Sequence, residues 1–299
     1  MTILLIDAGN TRVKLGWLDR RSGRREQRAL VLAHEHIGEL AAQLERLDLA
    51  PQAAIGVNVA GTAAGQALSR ILEQRYAISV QWIASHPHAA GVLNGYDIPA
   101  QLGPDRWMSM LGVAHRAQRA PLLLASFGTA TTIDTLAPEP ADTAVAMDSL
   151  PREHAERGMA GHGAPGPRGR PPCRFHGGLI FPGPALMRSS LANGTANLPE
   201  AQAPIAAFPT YTHQAISSGI AAAQAGALLR QWREGLQRFG RPPQVFSTGG
   251  AWPLVEEEAR RVLARAQQDL GLPIQDIEWL PAPVLDGLAA LASGGDFCS

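Results

Sequence analysis

Residues 7–14 read Asp7-Ala8-Gly9-Asn10-Thr11-Arg12-Val13-Lys14. An acid closes the apolar run Ile3-Leu4-Leu5-Ile6, and glycine with asparagine turns the chain back into a second run at 13–18. The pattern predicts a hairpin whose tip can take a phosphate. Gly9 removes the Cβ that would keep phosphate oxygens from the backbone N–H groups, while Asn10 and Thr11 supply side-chain donors. Asp7 can hold hydrated Mg²⁺, which takes one or two carboxylates and keeps several waters. Lys14 brings a compact positive charge within reach of terminal phosphate oxygens. The same turn residues also make ordinary hairpins, so the rest of the chain has to weigh in.

It does so at Ser126-Phe127-Gly128-Thr129-Ala130-Thr131-Thr132-Ile133-Asp134, which repeats the design of strand, glycine turn and returning strand. Two such turns can clamp one polyphosphate. Around the first, strand-like runs at 3–7, 13–18, 55–60 and 80–84 alternate with helical patterns at 65–76 and 105–118. Around the second, strands are expected at 122–126, 129–136, 178–181, 245–247 and 277–280, with helices at 184–192, 213–239, 253–267 and 284–292. Thr212 is the expected N-cap of the long helix. An α/β chain of two related halves follows, with domains at 1–118 and 119–299. Residues 138–174, rich in proline, glycine and arginine, interrupt the second as an expected flexible insertion.

A third motif, Tyr96-Asp97-Ile98-Pro99-Ala100-Gln101-Leu102-Gly103-Pro104-Asp105-Arg106-Trp107, puts a carboxylate and a guanidinium at a helix start. Acids there often serve only as caps. The functional reading makes Asp105 a base for a substrate hydroxyl and Arg106 the partner of a substrate carboxylate. Glycine turns recur at Gly177-Gly178, Gly183 and Ser247-Thr248-Gly249-Gly250, each weak alone.

The 299 residues hold 26 basic and 26 acidic side chains, so no global field recruits nucleic acid or an anionic membrane. The run at the N-terminus is broken by Asp7 and lacks a basic flank, so it is read as a buried strand rather than a secretion signal. No stretch approaches the roughly 18 to 20 apolar residues of a membrane span. Cys173 and Cys298 stand apart from any metal-ligand spacing, and a reducing, cytoplasmic setting is expected. The pairs His34/His36 and His86/His88 could chelate metal on a strand, but no third ligand accompanies them.

Taken together, residues 7–14, 96–106, 128–132, 177–183, Thr195-Ala196-Asn197-Leu198-Pro199 and 247–250 resemble the type III pantothenate kinases, which begin coenzyme A synthesis. The resemblance implies two actin-like, ribonuclease H-like domains with the nucleotide in the cleft between them. It implies that Asp7, Ala8, Gly9, Asn10, Thr11, Arg12, Val13, Lys14 and Thr129 hold ATP with Mg²⁺. Tyr96, Gly103, Pro104, Asp105, Arg106 and Thr195 would then meet pantothenate, with Asp105 as proton acceptor. A homodimer and a monovalent cation, K⁺ or NH₄⁺, are also implied. Where the family carries an acid for that cation, this chain has Ser126, a far poorer ligand. Fold and phosphate turns do not choose the acceptor. Another small-molecule kinase of this fold, or a kinase-like transcriptional activator, is therefore the alternative.

Overall fold

The computed structural model describes residues 1–26, 28–117, 119–139 and 173–294. The chain gathers into two compact units. One comprises Met1–Gln118, Ala137–His176 and Ala282–Ser299, the other Arg119–Leu136 and Gly177–Pro281.

In the first unit, β1 (Thr2–Ala8) is buried over nearly its whole length, as the uninterrupted apolar run requires of a strand covered on both faces. β2 (Arg12–Asp19) returns antiparallel, with Asp7 opposite Lys14 and Ala8 opposite Val13. β3 (Arg24–Arg25) and β4 (Leu30–Ala33) pair with β2, while β5 (Ala53–Asn58) and β6 (Val80–Trp82) extend the sheet in parallel beyond β1. Helices α1 (Leu40–Arg46) and α2 (Thr62–Tyr76) share a core with Leu4, Ile6, Val13 and Leu15. β7 (His88–Ala89) and β8 (Val92–Asn94) lead through a short loop into α3 (Pro104–Val113).

In the second unit, β9 (Leu122–Phe127) pairs antiparallel with β10 (Ala130–Pro138) and parallel with β12 (Gln244–Thr248), which pairs parallel with β13 (Glu278–Trp279). β11 (Cys173–Pro182) lies beside β10, with its residues up to His176 counted in the first unit. Helices α4 (Pro184–Gly194), α5 (Thr212–Phe239) and α6 (Glu256–Asp269) complete it. Its core joins Leu123, Phe127 and Ile133 of the sheet to Leu228, Trp232 and Leu263 of α5 and α6.

The strand orders β3-β2-β1-β5-β6 and β11-β10-β9-β12-β13 are one topology written twice, each with its second strand antiparallel to the first. The expectation of two related actin-like α/β domains therefore holds in the sheets themselves. The last helix, α7 (Pro283–Ser293), belongs to the first unit, where it packs on α3. Glycine makes that approach possible. A Cβ on Gly112 would strike the Pro283 carbonyl, and one on Gly287 the Met108 carbonyl.

Several local expectations shift. β10 runs to Pro138 and β11 starts at Cys173, so both edges of the expected insertion are strand, and its interior, 140–172, lies outside the described residues. The long helix begins at Thr212 itself with Tyr211 as N-cap, and the Gln214 amide oxygen accepts from the Thr210 N–H at 3.3 Å. Among the described residues, no helix is long and apolar enough to cross a membrane.

Candidate functional site

The β1–β2 register fixes the first turn. Gly9 donates its N–H to the Arg12 carbonyl at 3.1 Å, leaving Asn10, Thr11 and Arg12 exposed at the tip. Asp7 sits one step below the turn and is 7% exposed. Burial pushes its carboxyl up to about 6; the opposite Lys14 charge pulls the other way, and the Asp105 charge adds to the push. Lys14 and Asp105 are therefore each within electrostatic reach of Asp7, in a single unit. Two neighbouring carboxylates with one lysine suit a divalent cation that takes one or two protein oxygens. Among the described residues no group of three or more His, Cys, Asp or Glu could hold a metal by itself.

Asp105 stands in the first turn of α3 and is half-buried. Gly103 makes room for it, since a Cβ there would lie 2.7 Å from Asp105 Oδ1. Pro104 occupies the first helical position, where its missing N–H costs no hydrogen bond. Arg106 is buried, and its Nη1 donates to the Tyr96 hydroxyl at 2.8 Å. Its guanidinium carbon lies 5.7 Å from the centroids of both Tyr96 and Phe175, and those rings stack at 5.6 Å. A planar cation seated on two aromatic faces keeps its charge while losing its freedom to swing. Asn94 organises the preceding loop: its Nδ2 donates to the His86 and Pro99 carbonyls, and its Oδ1 accepts from the Tyr96 N–H at 3.1 Å.

In the second unit the turn at Gly128 is one residue shorter: the Gly128 N–H is donated to the Ala130 carbonyl, two residues on, at 3.1 Å. Two glycine segments converge on it. Gly183 donates its N–H to the Thr129 carbonyl at 2.9 Å, and a Cβ on Gly183 would run into the Gly128 carbonyl. Gly249, at φ +95°, lies so close to Phe127 that a Cβ there would strike its carbonyl, which accepts from the Ala251 N–H at 3.0 Å. Thr129 is exposed at the tip. Ser126 is the register partner of Thr248, whose Oγ1 is buried without a hydrogen-bond partner, as is Ser247 Oγ. Thr195 follows α4, where its hydroxyl donates to the Leu191 carbonyl at 2.8 Å and accepts from the Leu198 N–H at 3.2 Å.

The first unit thus brings together Asp7, Ala8, Gly9, Asn10, Thr11, Arg12, Val13, Lys14 and Asp105, and seats Arg106 against Tyr96. Thr129 and Thr195 belong to the second. Sequence reasoning missed Phe175, because it lies at the edge of a stretch without periodicity. It weighed His34 only as half of a chelating pair with His36, whereas the His34 Nε2 lies 2.8 Å from the Gly9 carbonyl oxygen.

The sequence model of the type III pantothenate kinases matches residues 3–141 and 171–234. A type III pantothenate kinase of Bordetella bronchiseptica is 44% identical over 297 residues, covering 98% of both chains. Another from Bordetella petrii is 45% identical over 296 residues, again 98% of both. Among solved structures, the activator of the 2-hydroxyisocaproyl-CoA dehydratase from Clostridium difficile aligns over 98% of this chain and 94% of its own, at 12% identity and a TM-score of 0.45.

The raised Asp7 carboxyl has a consequence for stability. A folded-state value above the unfolded one costs nothing while both states are protonated, and the full penalty is present once pH exceeds about 6. In metal-free protein with EDTA, Asp7→Asn should therefore be more stable than wild type by roughly 3 kcal/mol at pH 8 and about half that at pH 5. Urea unfolding at the two pH values measures the difference. A gain that does not grow with pH would mean that Asp7 titrates normally.

Proposed function

The chain belongs to the type III pantothenate kinase family, and on that premise we propose how its own residues phosphorylate the primary hydroxyl of pantothenate with ATP, the first step of coenzyme A synthesis. The observation that carries the assignment of roles is the coupling of buried Asp7 to both Lys14 and Asp105. Lys14 on the phosphate side and Asp105 on the acceptor side both act on the Asp7 carboxyl. Residues 7–14, with Thr129, hold the ATP phosphates: backbone N–H groups and the Asn10 and Thr11 side chains donate, and Lys14 faces the terminal oxygens. Mg²⁺, bound at Asp7 through water, would neutralise charge on the transferred phosphoryl group.

Asp105 orients the pantothenate hydroxyl and takes its proton late, which suffices for a loose phosphoryl-transfer transition state. Arg106 pairs with the pantothenate carboxylate, while Tyr96, Gly103, Pro104 and Thr195 line the acceptor. The buried Arg106, fixed on two rings, supports this role because a preoriented guanidinium loses little freedom on binding an anion. A reaction drawing on ATP and a buried Cys173 kept as a thiol are both consistent with a cytoplasmic setting.

The homodimer is proposed on the exposed face of α5. Ala215, Gly219, Ala222, Ala223 and Gly226 are all exposed there, and such small residues let a second helix approach closely. For the monovalent cation, Ser126, Ser247 and Thr248 offer neutral oxygens without a carboxylate. We read the cation dependence as lost.

Steady-state assays with phosphopantothenate as readout test the roles. Asp105→Asn should keep both KM values within about threefold and lose at least 100-fold in kcat. Arg106→Ala should raise the pantothenate KM about 10- to 100-fold, the scale of one charge-assisted contact, and leave the ATP KM in place. Wild-type turnover from the first variant, or an unchanged pantothenate KM from the second, would remove that residue from its role. Rates in matched sodium, potassium and ammonium buffers should agree within about twofold. Strong stimulation by potassium would show that the hydroxyls suffice. Sedimentation should give a dimer for wild type and a monomer for Gly219→Glu; an unaltered dimer would place the interface elsewhere.

A further inference from the structure

The two phosphate turns differ in length by one residue, and a carbonyl in each is tied down by different means. In the second unit the Thr129 carbonyl is taken by a backbone donor, the N–H of Gly183. In the first, the Gly9 carbonyl is met by a side chain, Nε2 of His34 at 2.8 Å. The contact follows from the sheet. β4 lies antiparallel beside β2, with Ala33 opposite Arg12, so the residue after Ala33 emerges next to the turn. There the chain enters a short 3₁₀ helix, His34–Glu39, and the half-buried His34 ring reaches the Gly9 oxygen. A carbonyl oxygen only accepts, so Nε2 carries the proton in this bond.

A trans peptide is planar, with its C=O and N–H on opposite edges. The Gly9–Asn10 peptide is trans. Holding the Gly9 oxygen on the His34 side therefore turns the Asn10 N–H the other way. The Gly9 N–H is already engaged by the Arg12 carbonyl, so the Gly9 residue is anchored at both its amide and its carbonyl. This matters at a glycine, because without a Cβ the Gly9–Asn10 peptide can flip at little steric cost. A flipped peptide would present a carbonyl oxygen, instead of an N–H, to an incoming anion.

We propose that His34 is a positioning residue for nucleotide binding: its Nε2–H pins the Gly9 carbonyl so that the Asn10 N–H is presented to an ATP phosphate. The proposal rests on residues 7–14 being the phosphate turn, as argued above. His34 touches no reacting atom and sets only the orientation of a peptide that does the binding. Its loss should therefore weaken nucleotide capture without touching the acceptor side.

The test compares His34→Leu, His34→Gln and Lys14→Ala by steady-state kinetics and by equilibrium binding of a non-hydrolysable ATP analogue. His34→Leu should raise the ATP KM and the analogue Kd about 10-fold, the scale of one hydrogen bond. The pantothenate KM should stay within twofold. His34→Gln, whose amide nitrogen can stand where Nε2 stood, should recover most of the loss. Should His34→Leu fail to fold, His34→Asn, too short to reach the carbonyl, takes its place with the same expected rise. An unchanged ATP KM in these variants beside a raised one in Lys14→Ala would overturn the role of His34 and leave the phosphate turn standing. If Lys14→Ala also binds ATP normally, the phosphate-turn reading fails and the His34 proposal with it. Equal losses for both substrates, or a Gln variant as poor as Leu, would reduce His34 to a general structural residue.

Discussion

The placement of Asp7 opposite Lys14 across β1 and β2 is the constraint on which the site depends. A carboxylate at the end of a central, buried strand is expensive, and burial raises its proton affinity accordingly. The lysine across the ladder offsets part of that cost only if the register holds. A slip by one residue would send every β2 side chain to the other face, burying Lys14 among apolar neighbours and exposing Val13 and Leu15. The same register sets the length of the turn, so the electrostatics of one pair and the geometry of the phosphate loop are not independent. On the proposed reading, the burial that makes Asp7 costly in the fold also favours a cation beside it.

The second sheet repeats the topology without repeating the chemistry. At the position corresponding to Asp7 stands Ser126, and the returning strand there offers Thr132 where the first offers Lys14. Backbone carries the load instead: glycines at 183 and 249 let neighbouring segments close on the turn to distances that any Cβ would forbid. A duplicated sheet can thus keep its hairpin while one copy specialises in charge and the other in close backbone packing. The orphaned hydroxyls of Ser247 and Thr248 belong to that second style, in which neutral oxygens stand at the strand ends.

What was legible in the sequence was what local chemistry writes there. The apolar run of β1, the glycine turn after it and the proline-led start of α3 each follow from neighbours in the chain, and each was read to within a few residues. The repeat at Gly128 was legible because a strand, a turn and a returning strand form a local pattern. Phe175 was not, since its role comes from Tyr96 and Arg106, which lie far from it in sequence. His34 was hidden for a similar reason: its function is set by the pairing of β4 with β2, and β4 is only four residues long. Nor does a linear reading bring α7 to α3, because the glycines that permit that contact, Gly112 and Gly287, are ordinary helix residues until the partner backbone is seen. The expected cap at Thr212 failed by a single position, the usual margin at a helix end.

Phosphate turns and sheet topology say nothing about which hydroxyl is phosphorylated, so selectivity has to come from the acceptor side. Arg106 is the residue equipped for it. A lysine in its place would carry the same charge but could not present the planar guanidinium fork that stands 5.7 Å from the Tyr96 and Phe175 ring centres. The aromatic faces stabilise the buried cation without cancelling its charge, and the Tyr96 hydroxyl fixes its roll. On the proposed reading, a rigid fork of this kind favours an acid over its neutral analogue through a charge-assisted contact that the analogue cannot make. On this reading Arg106 chooses the substrate by its carboxylate end, and Asp105, one residue earlier on the same helical turn, meets the hydroxyl that the phosphate turn is built to serve. The spacing between anchor and base is then set by α3 itself, so a change in the start of that helix would alter both substrate choice and turnover at once.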